Sequence, residues 1–251
     1  MHKLLLPLML LAGCAGVPDK GSWGGHWPQL DHVGQAALNA AKNPNTWLPL
    51  VGAAVLSIDD YDQELSEKLA EQRPLFGSNS KVAANTLRNV VVSSYLLTAL
   101  ATPSANFQDK LSGMAVGIVT LVGQDRVVEG IKDVIERERP SGGDRSFPSG
   151  HASLASSAAT LTERNLDYIG MPSWARTAAS ASVRALAIGT GWARVEAGKH
   201  HVGDVLAGYA LGHFFAAFMH EAFIEDRLPG AELSFHPVES GGALRLTLPL
   251  R

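Results

Sequence analysis

Three clusters of charged and nucleophilic side chains stand in a fixed order in the chain. The first is Lys132, followed after six residues by Arg139-Pro140, and the second is Pro148-Ser149-Gly150-His151. The third is Arg194, then His200 after a five-residue gap and Asp204 after a three-residue gap. A phosphoryl group in transfer spreads negative charge over its equatorial oxygens, so its catalysis is mostly positioning and electrostatic stabilisation. Arg139 and Arg194 can each offer a planar fork to two oxygens, and Lys132 adds a point charge. Together with two imidazoles and a carboxylate, these cations suit an enzyme that grips a phosphoryl group and attacks it with a ring nitrogen.

The elements that must position these groups follow from local rules. The residue before a proline is pushed out of the α region, so a helix over 108–138 stops at Arg139, with Lys132 two turns upstream on about the same face. Ser149-Gly150-His151 opens an Ala/Ser-rich run that predicts a helix over 150–164, and its first backbone N–H groups form an anion site. Gly150 lets the backbone come close to that anion. Positions 200 and 204 are one helical turn apart, which brings the carboxylate within reach of the imidazole. His200-His201-x2-Asp204 also fits half of a metal site. The neighbouring guanidinium groups argue instead for an anion.

The three clusters resemble the tripartite signature of the type 2 phosphatidic acid phosphatase (PAP2) superfamily, which includes lipid phosphate phosphatases, bacterial acid phosphatases and vanadium haloperoxidases. That signature reads K-x6-R-P, then P-S-G-H, then S-R-x5-H-x3-D, and the match spans about residues 130–205. One position departs: Ala193 stands where the third motif has serine, a place peripheral to the chemistry. The resemblance implies that His200 is the nucleophile that becomes phosphohistidine, with Asp204 bonded to its other ring nitrogen. It makes His151 the general acid toward the leaving oxygen. Lys132, Arg139, Ser149, Gly150 and Arg194 become the phosphate cradle. His201 competes for the nucleophile's role, but only His200 satisfies both gaps of the third motif.

The N-terminus carries a second signal. Met1-His2-Lys3 is a short basic start, and Leu4–Leu11 has the apolar length of a secretion signal. Leu11-Ala12-Gly13-Cys14 resembles a bacterial lipobox, in which cleavage leaves Cys14 as an acylated first residue. Cys14 is the only cysteine in the sequence, so no intramolecular disulfide can form. Ala15 and Gly16 lack the aspartate that holds bacterial lipoproteins at the inner membrane, and the expected location is the outer membrane, facing the periplasm. Several acyl chains anchor firmly where one binds only marginally.

Residues 1–13 are thus expected as a lipoprotein signal peptide and 14–30 as the acylated cysteine and a flexible tether. Residues 31–228 form the catalytic domain and 229–251 a C-terminal hairpin. The fold class expected is all-α, a PAP2-type helical bundle with a short C-terminal β-hairpin. Helices are predicted over 32–42, 45–57, 61–72, 82–102, 108–138, 150–164, 174–190 and 202–225, from apolar positions spaced by three and four residues. Leu244-Arg245-Leu246-Thr247-Leu248 alternates with period two, and a Gly-containing turn separates it from Leu233–Val238.

A spanning helix needs about 20 predominantly apolar residues. Asn89–Gln108 is free of charge but carries Ser, Thr, Asn and Pro, and Val205–Met219 is short and includes His213. An acyl-anchored domain whose helices graze the bilayer is therefore favoured over a polytopic one. The net charge of −3, with cations gathered in motifs, excludes a nucleic-acid surface.

The resemblance implies metal-independent hydrolysis of phosphomonoesters or diphosphates without a cofactor, with vanadate as an inhibitor that fills the cradle. A membrane tether favours lipid substrates of the phosphatidate or isoprenoid-diphosphate type. A tethered nonspecific acid phosphatase acting on soluble phosphomonoesters shares every catalytic residue. A haloperoxidase would use the same cradle, although the chain is short for that branch. A non-catalytic envelope lipoprotein is the reading from another class, and the joint presence of His151, His200 and Asp204 speaks against it.

Overall fold

The computed structural model describes residues 22–59, 61–225, 232–238 and 241–247. Cys14, the signal segment and the lipobox lie outside the described residues. Eight α-helices make up the body: α1 Leu30–Lys42, α2 Pro44–Leu56, α3 Tyr61–Gln72, α4 Ser80–Ala101, α5 Phe107–Ile135, α6 Gly150–Leu166, α7 Ser173–Glu196 and α8 Val202–His220. A π-helical turn, Glu221–Glu225, continues α8. Strands β1 Glu232–Val238 and β2 Gly241–Thr247 pair antiparallel, with Glu232 opposite Thr247 and Val238 opposite Gly241. The all-helical body with a C-terminal hairpin is the architecture that the apolar periodicity predicts.

Helix α6 occupies the centre, packing on α4, α5, α7 and α8. Its interior face is built from small residues, among them Ala152, Ser153, Ala155, Ser157 and Ala158, which lets neighbouring backbones come close. The closest approach is to α8: a Cβ at Gly212 would run into the Ser153 carbonyl, and one at Gly208 would lie 2.6 Å from the Ser149 carbonyl. The buried serines of α6 satisfy themselves across this seam. Ser156 Oγ donates to the Tyr209 carbonyl and Ser157 Oγ to that of Gly212, each at 2.8 Å. Such bonds matter because an unmade one inside a dry interface costs about 1–3 kcal/mol.

The helix boundaries fall within two residues of the sequence expectation except at the ends of α5, α7 and α8, the last of which passes into the π-helical turn Glu221–Glu225. Helix α5 ends at Ile135, not at Arg139, because Glu136 turns into the left-handed region at φ 45° and its N–H closes on the Lys132 carbonyl. Arg139 therefore lies in the loop that leads to α6. Helix α7 continues past position 190 to Glu196, since Gly191 serves close packing, not termination.

The segment from residue 22 is docked on the helices. Trp23 is fully buried, its indole N–H donates to Asn165 Oδ1 at 3.1 Å, and Lys110 lies over its ring. The Gly25 N–H donates to Ser112 Oγ and the His26 N–H to the Phe223 carbonyl. Trp27, by contrast, is exposed.

By length and composition, Phe107–Ile135 and Val202–Glu225 are long and apolar enough to cross a membrane, and the second is largely buried within the bundle. Large apolar side chains are exposed along α2 (Leu48, Val51, Val55), α4 (Leu97, Leu100) and α5 (Ile118, Val119, Val122).

Candidate active site

All three sequence clusters converge where the end of α5, the start of α6, the end of α7 and the start of α8 meet. The Ser149 N–H donates to the Asp204 carbonyl at 2.9 Å, which fixes the Pro-Ser-Gly-His loop against the first turn of α8. Ser149 is itself buried and acts as the N-cap of α6, its hydroxyl accepting from the Ala152 N–H. A Cβ on Gly150 would stand 3.4 Å from Lys132 Nζ, an ordinary contact, so the lysine head lies beside the start of α6. The first N–H groups of a helix have no intrahelical partner and favour an anion.

Arg139 and Arg194 complete the cradle. The loop holding Arg139 is closed by its own N–H to the Gly143 carbonyl and by the Ser141 N–H to the Gly198 carbonyl. Neither guanidinium pairs with a carboxylate among the described residues, and the Nε of each is buried without a hydrogen-bond partner. Burial, with Arg139 and Arg88 close by, pulls the Arg194 guanidinium down to about 10. Buried donors without partners are rare in proteins, and two converging arginines in that state form a site for an anion. Lys132 is the exception, since Glu129 Oε1 accepts from its Nζ at 2.6 Å.

His200 is buried, and its Nδ1 lies 2.7 Å from the Ser146 carbonyl. A carbonyl only accepts, so Nδ1 carries the proton and the lone pair sits on Nε2. This corrects the expected His200–Asp204 bond: Asp204 Oδ2 stands 4.0 Å from Nδ1. The carboxylate instead ties together the groups around the ring. Its Oδ2 accepts from Ser146 Oγ at 2.5 Å and from the His201 N–H at 2.8 Å, and its Oδ1 pairs with Arg137 Nη1 at 2.6 Å. Burial alone would raise the Asp204 carboxyl, but the bonds from His201, Ser146 and Arg137 hold it below the usual carboxylate range.

His201 is the N-cap of α8 and forms a capping box with Asp204, with Nδ1 3.2 Å from Oδ2. That bond occupies it structurally. Burial and Arg194 push the His200 imidazole down to about 3, against the opposing pull of Asp204 and the Ser146 carbonyl, so it is neutral near pH 7.

His151, the second residue of α6, is partly buried. Burial, then Arg194, Arg88 and Lys132, lower it to about 3. Its Nε2 lies 3.0 Å from Arg88 Nη1 and 2.8 Å from Asn85 Oδ1.

Sequence reasoning did not single out several residues placed here. Arg88 and Asn85 come from α4, which carries no part of the three motifs. Ser146 and Arg137 lie in the α5–α6 loop, and Asp62 on α3. Asp62, itself buried, accepts from Arg137 Nη2 at 2.9 Å and from the Gly203 N–H at 2.8 Å, while Ser66 Oγ accepts from the Val202 N–H. The start of α8 is thus pinned from α3. The one available signal was the spacing of Lys81, Asn85 and Arg88, a polar stripe at i, i+4 and i+7 of a largely apolar helix.

Residues 111–227 match the family model described as the PAP2 superfamily. Among solved structures, the chain is similar to one described as the crystal structure of the first transmembrane PAP2 type phosphatidylglycerolphosphate phosphatase from Bacillus subtilis. The TM-score is 0.54 at 20% identity, over 73% of this chain and 94% of that one. No curated protein matches.

Proposed function

The chain carries a PAP2 superfamily domain over residues 111–227, and on that premise we propose that it is a phosphatase hydrolysing lipid phosphates through a phosphohistidine on His200. The observation that carries this reading is the pairing of two guanidinium groups, Arg139 and Arg194, whose buried Nε atoms lack hydrogen-bond partners, with a neutral imidazole whose Nδ1 is held by the Ser146 carbonyl.

In the first step His200 Nε2 attacks phosphorus, the P–N bond forms and the bond to the leaving oxygen breaks. His151 gives its proton to that oxygen. Arg139, Arg194, Lys132 and the first N–H groups of α6 hold the three equatorial oxygens as charge redistributes. The phosphorylated ring, with Nδ1 still protonated, is a cation, and the Ser146 carbonyl with the Asp204 carboxylate at 4.0 Å stabilises it. In the second step water attacks phosphorus and gives a proton to His151, the P–N bond breaks, and inorganic phosphate leaves with His200 neutral again. The cations supply the charge neutralisation, so turnover is proposed to need neither metal nor cofactor.

His151 needs its proton before the first step, yet its surroundings hold it neutral in the empty site. A phosphate monoester titrates with a second pKa of about 6. Binding of the monoanion therefore delivers both the proton and the negative charge that lets His151 keep it.

The similar phosphatidylglycerolphosphate phosphatase and the exposed apolar faces of α2, α4 and α5 support a lipid substrate at a membrane. Acylation of Cys14 and an outer-membrane location rest on the sequence Leu11-Ala12-Gly13-Cys14, and Cys14→Ser with fractionation of the envelope tests them. The deciding experiment for function is phosphate release from phosphatidate in mixed micelles with EDTA present, wild type against His200→Ala, with a soluble aryl phosphate in parallel. Release that needs His200 and prefers the lipid supports the reading. Release from the aryl phosphate alone makes the protein a nonspecific acid phosphatase, and none from either overturns it.

A further inference from the structure

His151 Nε2 stands between two partners of opposite kind, both supplied by α4. Asn85 Oδ1 lies 2.8 Å from it and Arg88 Nη1 lies 3.0 Å from it. An amide oxygen only accepts and a guanidinium only donates, so no single state of the ring satisfies both. With a proton on Nε2 the ring donates to Asn85; with Nε2 bare it accepts from Arg88. Positions 85 and 88 share one face of a helix, which is how two competing groups reach one nitrogen. Arg88 has another partner as well, since its Nη2 and Nε donate to Asn89 Oδ1 at 2.9 and 3.2 Å.

The two states differ in what Nδ1 can do. Because α4 takes Nε2, Nδ1 is left for the leaving oxygen. In the neutral ring bound to Arg88 the only proton sits on Nδ1. Giving it away would leave an imidazolate, and the same atom has no lone pair to take a proton from water. In the ring bound to Asn85, Nε2 keeps its proton throughout. Nδ1 then takes a proton from the substrate monoanion, passes it to the leaving oxygen and takes another from the attacking water. The ring alternates between neutral and cationic forms and is never an anion. The charged groups that act on it are Arg88 of α4, Arg194 of α7 and Lys132 of α5, all cations. The acceptor that meets the ring is therefore the uncharged amide oxygen of Asn85.

We infer that Asn85 is a positioning residue that selects the working tautomer of His151, as the Ser146 carbonyl does for His200. Arg88 competes for the same nitrogen and holds the idle tautomer. The proton transfers assigned to Nδ1 rest on the phosphatase reading above; the choice of tautomer does not.

Two measurements test it. The first is NMR of the His151 ring nitrogens in the empty protein carrying labelled histidine, with His151→Gln to assign the signal, and it needs no turnover. The wild type is expected as the Nε2–H tautomer at neutral pH and Asn85→Leu as the Nδ1–H tautomer. Asn85→Asp, which keeps an acceptor oxygen, should hold Nε2–H. The second is kcat for a nitrophenyl phosphate, whose leaving group needs no proton, and for butyl phosphate, whose leaving group does. Asn85→Leu should lose about tenfold or more in excess on butyl phosphate, within the range of general acid catalysis, and Asn85→Asp should keep the wild-type ratio within about threefold. An Nδ1–H wild type, an unchanged tautomer in Asn85→Leu, or equal losses on both esters overturns the inference. The expected tautomer change without turnover of either ester by the wild type would leave the hold of Asn85 on the ring standing and remove the phosphatase reading instead.

Discussion

The Nδ1–H of His200 is donated to the backbone carbonyl of Ser146 at 2.7 Å, while the carboxylate one helical turn away stands at 4.0 Å. The tautomer that leaves Nε2 free is thus set by the main chain. Asp204 acts one bond further out, by holding the Ser146 hydroxyl and the His201 N–H in place. Asp204→Asn should consequently lower kcat by about tenfold to a hundredfold, the range for losing an outer-shell partner of a reactive imidazole. KM should change little. A loss as large as that of His200→Ala, read in the same steady-state assay, would put the carboxylate in direct charge of the tautomer.

His200 and His201 are adjacent and both buried, but their partners separate their roles. His200→Ala should abolish an acid-labile phosphoenzyme trapped by rapid quench from labelled substrate. His201→Ala removes the N-cap of α8 and half of its capping box. It should cost about 1 kcal/mol of stability and still form phosphoenzyme. Label retained in His200→Ala and lost in His201→Ala would exchange the two assignments.

How far the sequence revealed this site depends on where each group resides. Lys132, Arg139, His151, Arg194, His200 and Asp204 could be singled out because they stand in three spaced motifs that resemble the PAP2 signature, and the fold brings those motifs together. The eight helices were legible from apolar periodicity. Arg88 and Asn85 were not, since they come from an apolar helix with no motif, and only packing brings α4 to the start of α6. The end of α5 escaped because a left-handed Glu136 leaves no reliable local mark. The rule for the residue before proline gave a limit at Arg139, not the true end. The helix expected over 174–190 runs on past Gly191, whose missing side chain makes room for the Tyr209 hydroxyl, which accepts from the Gly191 N–H at 3.2 Å.

Arg137 bridges two carboxylates that are almost wholly buried, Asp62 at 2.9 Å and Asp204 at 2.6 Å. Removing one partner of such a group leaves charge uncompensated, at a cost of about 3–5 kcal/mol. Arg137→Met should lower stability by that amount in urea unfolding. Asp62→Asn added to it should cost less than the sum of the two single changes, because the aspartate no longer lacks its cation. Strict additivity would show that the bridge contributes nothing as a unit.

The imidazoles give stability a defined pH dependence. His151 and His200 are lowered to about 3 and His213 to about 4, from an ordinary 6.5. Burial is the first cause in each. Between these values the unfolded chain takes up protons that the folded one refuses, so ΔG of unfolding falls as pH drops. The loss begins near pH 6.5 and is complete only below about 3. Melting temperatures recorded from pH 7 to 4 should fall progressively, and saturating orthovanadate should reduce the fall by stabilising charged His151 in the filled cradle. The turnover expected of the same site runs the other way. Since the substrate monoanion brings the proton His151 needs, kcat/KM should rise as pH falls through about 6, while the fold still holds. A rate that rises toward alkaline pH would mean that His151 acts only as a base.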